Sequence, residues 1–209
     1  MKLLVIRHGQ SEADILNVME GRADFNLTNV GKQQAQRMAD WVANRYKINK
    51  IFASPLKRAS QTAGFLKERT GIDIVYDNDL MEWQNGLIAG MPRAEAIEKY
   101  PPPEAKHPHT AMYGQESEIQ FRMRAETVLS KIINENPPGD TIAIVSHGGL
   151  IMRLFYSFIS APLTPNVHIS YTGDTGIHEW HVNGDKREII HVNLQHHLCD
   201  FKVDQIPIG

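Results

Sequence analysis

Two histidines follow directly on apolar runs. Leu3 to Ile6 leads into Arg7, His8 and Gly9, and "TIAIVSHGGL" leads into His147, Gly148 and Gly149. Arg58 in "SPLKRASQTA" and Glu82 in "LMEWQNG" follow two further strand-like runs. A neutral imidazole is a competent nucleophile near neutral pH, because its unperturbed pKa is about 6.5. The planar fork of arginine matches phosphate oxygens and stays charged at every working pH. A carboxylic acid helps a poor alkoxide to leave. Singly, each residue has an ordinary reading. His8 and His147 are hydrogen-bonded, partly buried histidines, Arg7 and Arg58 are solvated or surface-paired, and Glu82 is a surface carboxylate. Together, two Arg, two His and one Glu at strand ends make a small, positively charged pocket that suits a phosphoryl group.

The elements that must position these groups alternate. Leu3–Ile6, Lys50–Ala53, Asp73–Tyr76 and Thr141–Val145 read as strands. Thr28 is an N-cap for a helix to about Tyr46, with Ala35, Met38, Ala39, Val42 and Tyr46 at helical spacing. Further helices are expected from Pro55 or Leu56, from Pro92 to Tyr100, from about Glu116 to Asn136, and after His147. Strand-like runs lie around His168–Tyr171, Gly176–Val182 and Arg187–Leu194, with "NGD" as a hairpin turn between the last two. The pattern implies an α/β fold: a mostly parallel central sheet with helices on both faces. In such folds ligands bind beyond the carboxyl ends of the strands, where Arg7, His8 and His147 fall.

Composition narrows the class. The chain has 209 residues, is 42% hydrophobic and 22% charged, and shows no repeat or linker, so a single domain over 1–209 is expected. A net charge of -2 gives no basic field for nucleic acid. "KLLVI" is too short for a membrane span or signal peptide, and no membrane partner is expected. One cysteine, Cys199, excludes an internal disulfide and fits a reducing, cytoplasmic setting. Nothing in the composition speaks to oligomeric state.

Four motifs in order, "RHGQSEAD", "SPLKRASQTA", "LMEWQNG" and "VSHGG", resemble the histidine phosphatase superfamily, also called phosphoglycerate mutase-like. "GRADFNLTNVGKQQA" and "GQES" are similar to the family's intervening segments. The resemblance implies that His8 is the nucleophile and becomes phosphohistidine. It implies that Arg7, Arg58 and His147 grip the phosphoryl oxygens and that Glu82 protonates the leaving oxygen. It puts Gln10 and Ser11 in the phosphate loop. The family usually has Asn three residues after that Ser, where this chain has Asp14. An ionised Asp only accepts hydrogen bonds, so one phosphate donor is expected to be lost, with Asp14 pairing with Arg22.

Ten histidines raise the question of a metal. His107 with His109, His178 with His181, and His196 with His197 lack a carboxylate or Cys set at ligand spacing. The expectation is no metal and no cofactor, with His107 and His109 as possible lining of the substrate entrance. Residues 83–113 contain only Arg93, Lys99 and Lys106 as basic residues, none adjacent. The related mutases carry paired Arg there for the substrate carboxylate, so a phosphatase acting on a small phosphorylated metabolite is favoured over a mutase. A phosphate-binding module without turnover is the reading from another class. The loop Tyr100 to Tyr113, with Trp83, is expected to cover the site and set specificity.

Overall fold

The computed structural model describes residues 1–105, 107–163 and 171–201. Strands β1 (Lys2–Arg7), β2 (Lys50–Ala53), β3 (Ile74–Tyr76), β4 (Thr141–Ser146), β5 (Ile177–Asn183) and β6 (Lys186–Leu194) form a sheet in the order β3-β2-β4-β1-β5-β6. The β2–β3, β2–β4 and β1–β4 pairs are parallel, whereas β5 runs antiparallel to both β1 and β6. The sheet is therefore mostly parallel, with an antiparallel hairpin at one edge.

Helices cover both faces: α1 (Glu12–Leu16), α2 (Asn29–Ala43), α3 (Lys57–Thr70), α4 (Arg93–Lys99), α5 (Glu118–Asn134) and α6 (Gly148–Phe158). Leu3 to Ile6 of β1 are all apolar because the strand is buried on both sides. Leu3 and Val5 join the cluster of Phe121 and Leu129 from α5 and Leu150 and Leu154 from α6. Leu4 and Ile6 join Met38 and Val42 from α2 and Ala63 and Leu66 from α3. Each such fully buried aliphatic side chain contributes roughly 1.5–3 kcal/mol. Among the described residues no helix is long and apolar enough to cross a membrane.

Six of the seven expected strands and all five expected helices are present with shifts at their ends. The Thr28 hydroxyl accepts from Gly31 N at 3.0 Å, capping α2 as expected. That helix stops at Ala43, because Asn44 to Tyr46 form a turn over its end. The strand expected around His168–Tyr171 lies outside the described residues up to 170, and Tyr171 is irregular.

Register decides where the chemistry sits. In the β1–β4 ladder Arg7 stands opposite Ser146, so the next residues, His8 and His147, leave adjacent strands side by side. Ala53 stands opposite Val145, which brings Ser54 to the same edge. His8 N donates to Ser146 O at 3.0 Å and Ser54 N to Val145 O at 3.0 Å, extending the ladders by one step.

Candidate active site

His8 is 2% exposed at the base of a pocket of about 420 Å³. Its Nδ1 lies 2.7 Å from Gly9 O. A carbonyl only accepts, so Nδ1 carries the proton and Nε2 keeps its lone pair. Burial, then the Arg58 and Arg7 charges, hold the imidazole well below its usual pKa of 6.5. The ring is thus neutral, with the lone pair of Nε2 held toward Arg58. Gly9 permits this fit, because a Cβ there would stand 2.5 Å from Gly31 O at the start of α2.

Arg58, fully buried on the first turn of α3, directs Nε at His8 Nε2 from 3.2 Å. Its other nitrogens donate to Ala23 O at 3.0 Å and Gly21 O at 2.7 Å, which locks the guanidinium plane. Arg7 is held by Thr172 O at 2.8 Å and Asp174 Oδ1 at 3.2 Å, and its guanidinium stacks 4.5 Å from the Tyr171 ring centre. The His147 ring lies 5.1 Å from the His8 ring. Its Nε2 is 2.8 Å from Ser54 Oγ, and burial followed by the Arg58 charge keeps it neutral, well below the usual pKa. Arg7 Nε and His147 Nδ1 are buried with no partner among the described residues. Arg7 Nε beside His8 therefore remains as a donor for a ligand, and His147 Nδ1 joins it in the tautomer in which Nε2 accepts from Ser54 Oγ.

Glu82 closes the other side. Its Oε2 accepts from Gly149 N in the first turn of α6 at 2.9 Å, and its Oε1 accepts from Trp83 N at 2.8 Å. A Cβ on Gly149 would lie 2.4 Å from Glu82 Oε1, so glycine is what lets the carboxylate reach the helix end. Arg22 Nε and Arg124 NH2 both donate to Glu82 O, at 3.1 and 3.2 Å, and fix its backbone.

The loop after His8 departs from the expectation at two points. Asp14 does not pair with Arg22. It lies in α1 and its Oδ2 accepts from Ser11 N at 2.8 Å, capping that short helix, while Arg22 turns to Glu82 O and Glu116. Asp14 nonetheless lines the pocket. Gln10 is not part of the pocket wall, because its Oε1 accepts from the α2 cap, Thr28 Oγ1, at 2.7 Å. Ser11 Oγ is 2.6 Å from Glu20 Oε1, and the same carboxylate oxygen is 3.2 Å from Arg58 Nε. His107 and His109 stack on each other at 5.6 Å and do not line the catalytic pocket.

Sequence reasoning missed Glu20, Ser54, Tyr171 and Asp174. Ser54 had a signal, being the polar residue that ends a third apolar strand. Tyr171 and Asp174 had none, because their partner Arg7 lies far away in the chain, and Glu20, nine residues from Ser11, had no motif to mark it.

The family model of the histidine phosphatase superfamily (branch 1) matches residues 3–195. The chain belongs to the histidine phosphatase superfamily. Phosphoglycerate mutase-like protein 4 of Arabidopsis thaliana is 31% identical over 162 residues, covering 74% of this chain and 69% of that protein. Phosphoserine phosphatase 1 of Hydrogenobacter thermophilus is 25% identical over 209 residues, 98% of this chain and 97% of that protein. The mycobacterial glucosyl-3-phosphoglycerate phosphatase solved with VO3 superposes with a TM-score of 0.80 at 25% identity, over 92% of this chain and 98% of that one. In this histidine phosphatase, Arg7, His8 and Glu82 line one pocket, and Arg58 and His147 pack against His8 behind it. The carboxylates of Glu20 and Asp14 occupy the loop side of that pocket.

Proposed function

We propose that this chain is a metal-independent phosphomonoester hydrolase that works through a phosphohistidine on His8, with a small phosphorylated metabolite as substrate. The observation that carries this reading is the tautomer of His8: Nδ1 is bound to Gly9 O, and Nε2 meets Arg58 and the pocket. The phosphatase names of the relatives support it.

In the first half-reaction His8 Nε2 attacks phosphorus and the bond to the ester oxygen breaks. Arg58, Arg7 Nε and His147 Nδ1 meet the charge on the phosphoryl oxygens without reorganising. Glu82 gives the leaving oxygen a proton, its own or one shared from the substrate phosphate. In the second half-reaction water attacks phosphorus and Glu82 takes a proton from it. The N–P bond breaks, its electron pair returns to Nε2, and inorganic phosphate leaves. Fixed donors, a neutral nucleophile and an acid–base carboxylate supply each step. Gln10 and Ser11 act through their loop, Ser11 as the residue that holds Asp14 and Glu20 in place.

Hydrolysis is favoured over mutase activity. Of the basic residues between Glu82 and Tyr113, Arg93 reaches the catalytic pocket, and Lys99 is spent on Glu95 at 2.7 Å. Lys106 lies outside the described residues. A single cytoplasmic domain spanning 1–209 completes the proposal. Hydrolysis of an aryl phosphate with excess chelator tests it. Activity that survives chelation and is lost in His8→Ala supports it. Activity lost to the chelator overturns the metal-independent mechanism, and faster interconversion than hydrolysis of 3-phosphoglycerate overturns the choice against a mutase.

A further inference from the structure

A second cavity of about 250 Å³ adjoins the catalytic pocket, and Met19, Trp83 and Glu118 line both. Pockets that enclose a whole drug-sized ligand span roughly 300–1,000 Å³, so this one has the size for part of a ligand. Its walls are apolar and aromatic, drawn from Ile88, Tyr100, Pro102, Met112 and Tyr113 beside Trp83. No Lys or Arg among the described residues lines it. Its two carboxylates are already paired, Glu116 with Arg124 at 2.6 Å and Glu118 with Arg153 at 2.5 Å.

The walls are held in place. The Trp83 indole donates to Glu116 O at 2.8 Å. Tyr113 has a φ of 54°, a left-handed backbone that a bulky residue adopts only when its surroundings enforce it. Here Tyr113 O accepts from Leu87 N at 2.9 Å, and a Cβ on Gly86 would come within 2.1 Å of that oxygen. The Tyr113 and Tyr100 rings then meet edge to face at 5.0 Å.

We propose that this chamber takes the carbon skeleton of the leaving alcohol, and that the substrate class is phosphate monoesters of apolar, alkyl or aryl, alcohols. The inference rests on the phosphatase reading above, because it needs Glu82 to face the leaving oxygen. Trp83 follows Glu82 in the chain and donates to its carboxylate, so whatever is attached to that oxygen passes along the indole into the chamber. Among the described residues a second anion would find no cation there, and a sugar would meet Thr110 and Gln115 beside the two paired carboxylates.

The test is the series ethyl, butyl and hexyl phosphate, whose leaving groups share one basicity. Burial of methylenes at about 0.8 kcal/mol each predicts a rise in kcat/KM of about fourfold per methylene until the chamber is full. Ile97 lines the chamber mouth and is 64% exposed, so Ile97→Asp leaves the core alone. It should cut the hexyl-to-ethyl ratio by about tenfold or more, through a charge placed beside the buried chain. Equal kcat/KM across the series overturns the inference and leaves the phosphatase intact, as does a preference for 3-phosphoglycerate over hexyl phosphate, which would assign specificity to Arg93 instead. No hydrolysis of any ester would remove the phosphatase reading and the inference with it.

Discussion

Nε of Arg58 donates to Nε2 of His8 at 3.2 Å. The contact joins the start of α3 to the end of β1 and places a fixed cation on the nitrogen proposed to attack. When phosphorus approaches Nε2, the same guanidinium is already beside its oxygens. Lysine at this position keeps a charge and loses the fork. Arg58→Lys should lower kcat by about 10²–10³, the usual cost of removing one preorganised donor, and weaken vanadate inhibition in parallel. Steady-state kinetics check this. A loss below about tenfold would assign Arg58 to holding Gly21 and Ala23 only.

Glu82 and Gly149 should behave as one unit. Glu82→Gln is expected to slow alkyl phosphates by about 10²–10⁴ and aryl phosphates far less, since phenolates leave without a proton. Gly149→Ala pushes a methyl group against Glu82 Oε1 and should give the same alkyl-selective loss with the carboxylate still present. Equal losses on both ester types in either variant would mean that Glu82 binds or builds the pocket rather than donating a proton.

Glu20 places a carboxylate between Ser11 and Arg58, where an incoming phosphate meets it. Removing its charge should tighten phosphate or vanadate inhibition by about tenfold at neutral pH in Glu20→Gln, the scale of one hydrogen bond to a charged group. Burial raises the Glu20 pKa against the opposing pull of Arg58. The carboxyl therefore takes up its proton at a higher pH than an ordinary glutamate, and the advantage of the variant shrinks as pH falls. The ratio of inhibition constants, variant over wild type, cancels the titration of the inhibitor. A ratio that is flat with pH, or a variant that binds more weakly, contradicts this.

Stability should carry a histidine signature. His178 is fully buried, with Nε2 2.9 Å from Thr172 Oγ1, and burial pushes its pKa from 6.5 down to about 4. The unfolded chain binds the proton first, so this contribution is complete above pH 6.5 and is lost as pH falls to about 4. At about 1.4 kcal/mol per pH unit the loss is on the order of 3 kcal/mol. Urea unfolding of wild type and His178→Gln across that window should show a flatter profile for the variant. Parallel profiles would contradict it.

The parts of this account that were legible in the sequence are those set by local pattern. "LLVI" and "IAIV" are apolar throughout because both faces of the sheet are covered, and parallel pairing in register then carries His8 and His147 to one edge. Thr28 was readable as a cap because its hydroxyl acts within one turn. Helix α1 was not readable: it is five residues long, and Ile15 and Leu16 stay 64% and 60% exposed, so no buried stripe marks it. Its presence explains why Asp14 caps a helix instead of pairing with Arg22. The antiparallel pairing of β5 with β1 and the grip of Asp174 on Arg7 depend on how the tail returns to β1, which no local signal encodes, whereas "NGD" marked the β5–β6 hairpin.

The proposed mechanism stands on His8 Nε2 carrying the phosphoryl group. Mixing enzyme briefly with substrate, quenching in base and mapping the modified peptide by mass spectrometry tests it most directly. Phosphate on His8, lost in acid and stable in base, with none in His8→Ala, is the predicted result. Phosphate on Ser11 or Ser146, or turnover with no phosphoenzyme under burst conditions, would contradict it.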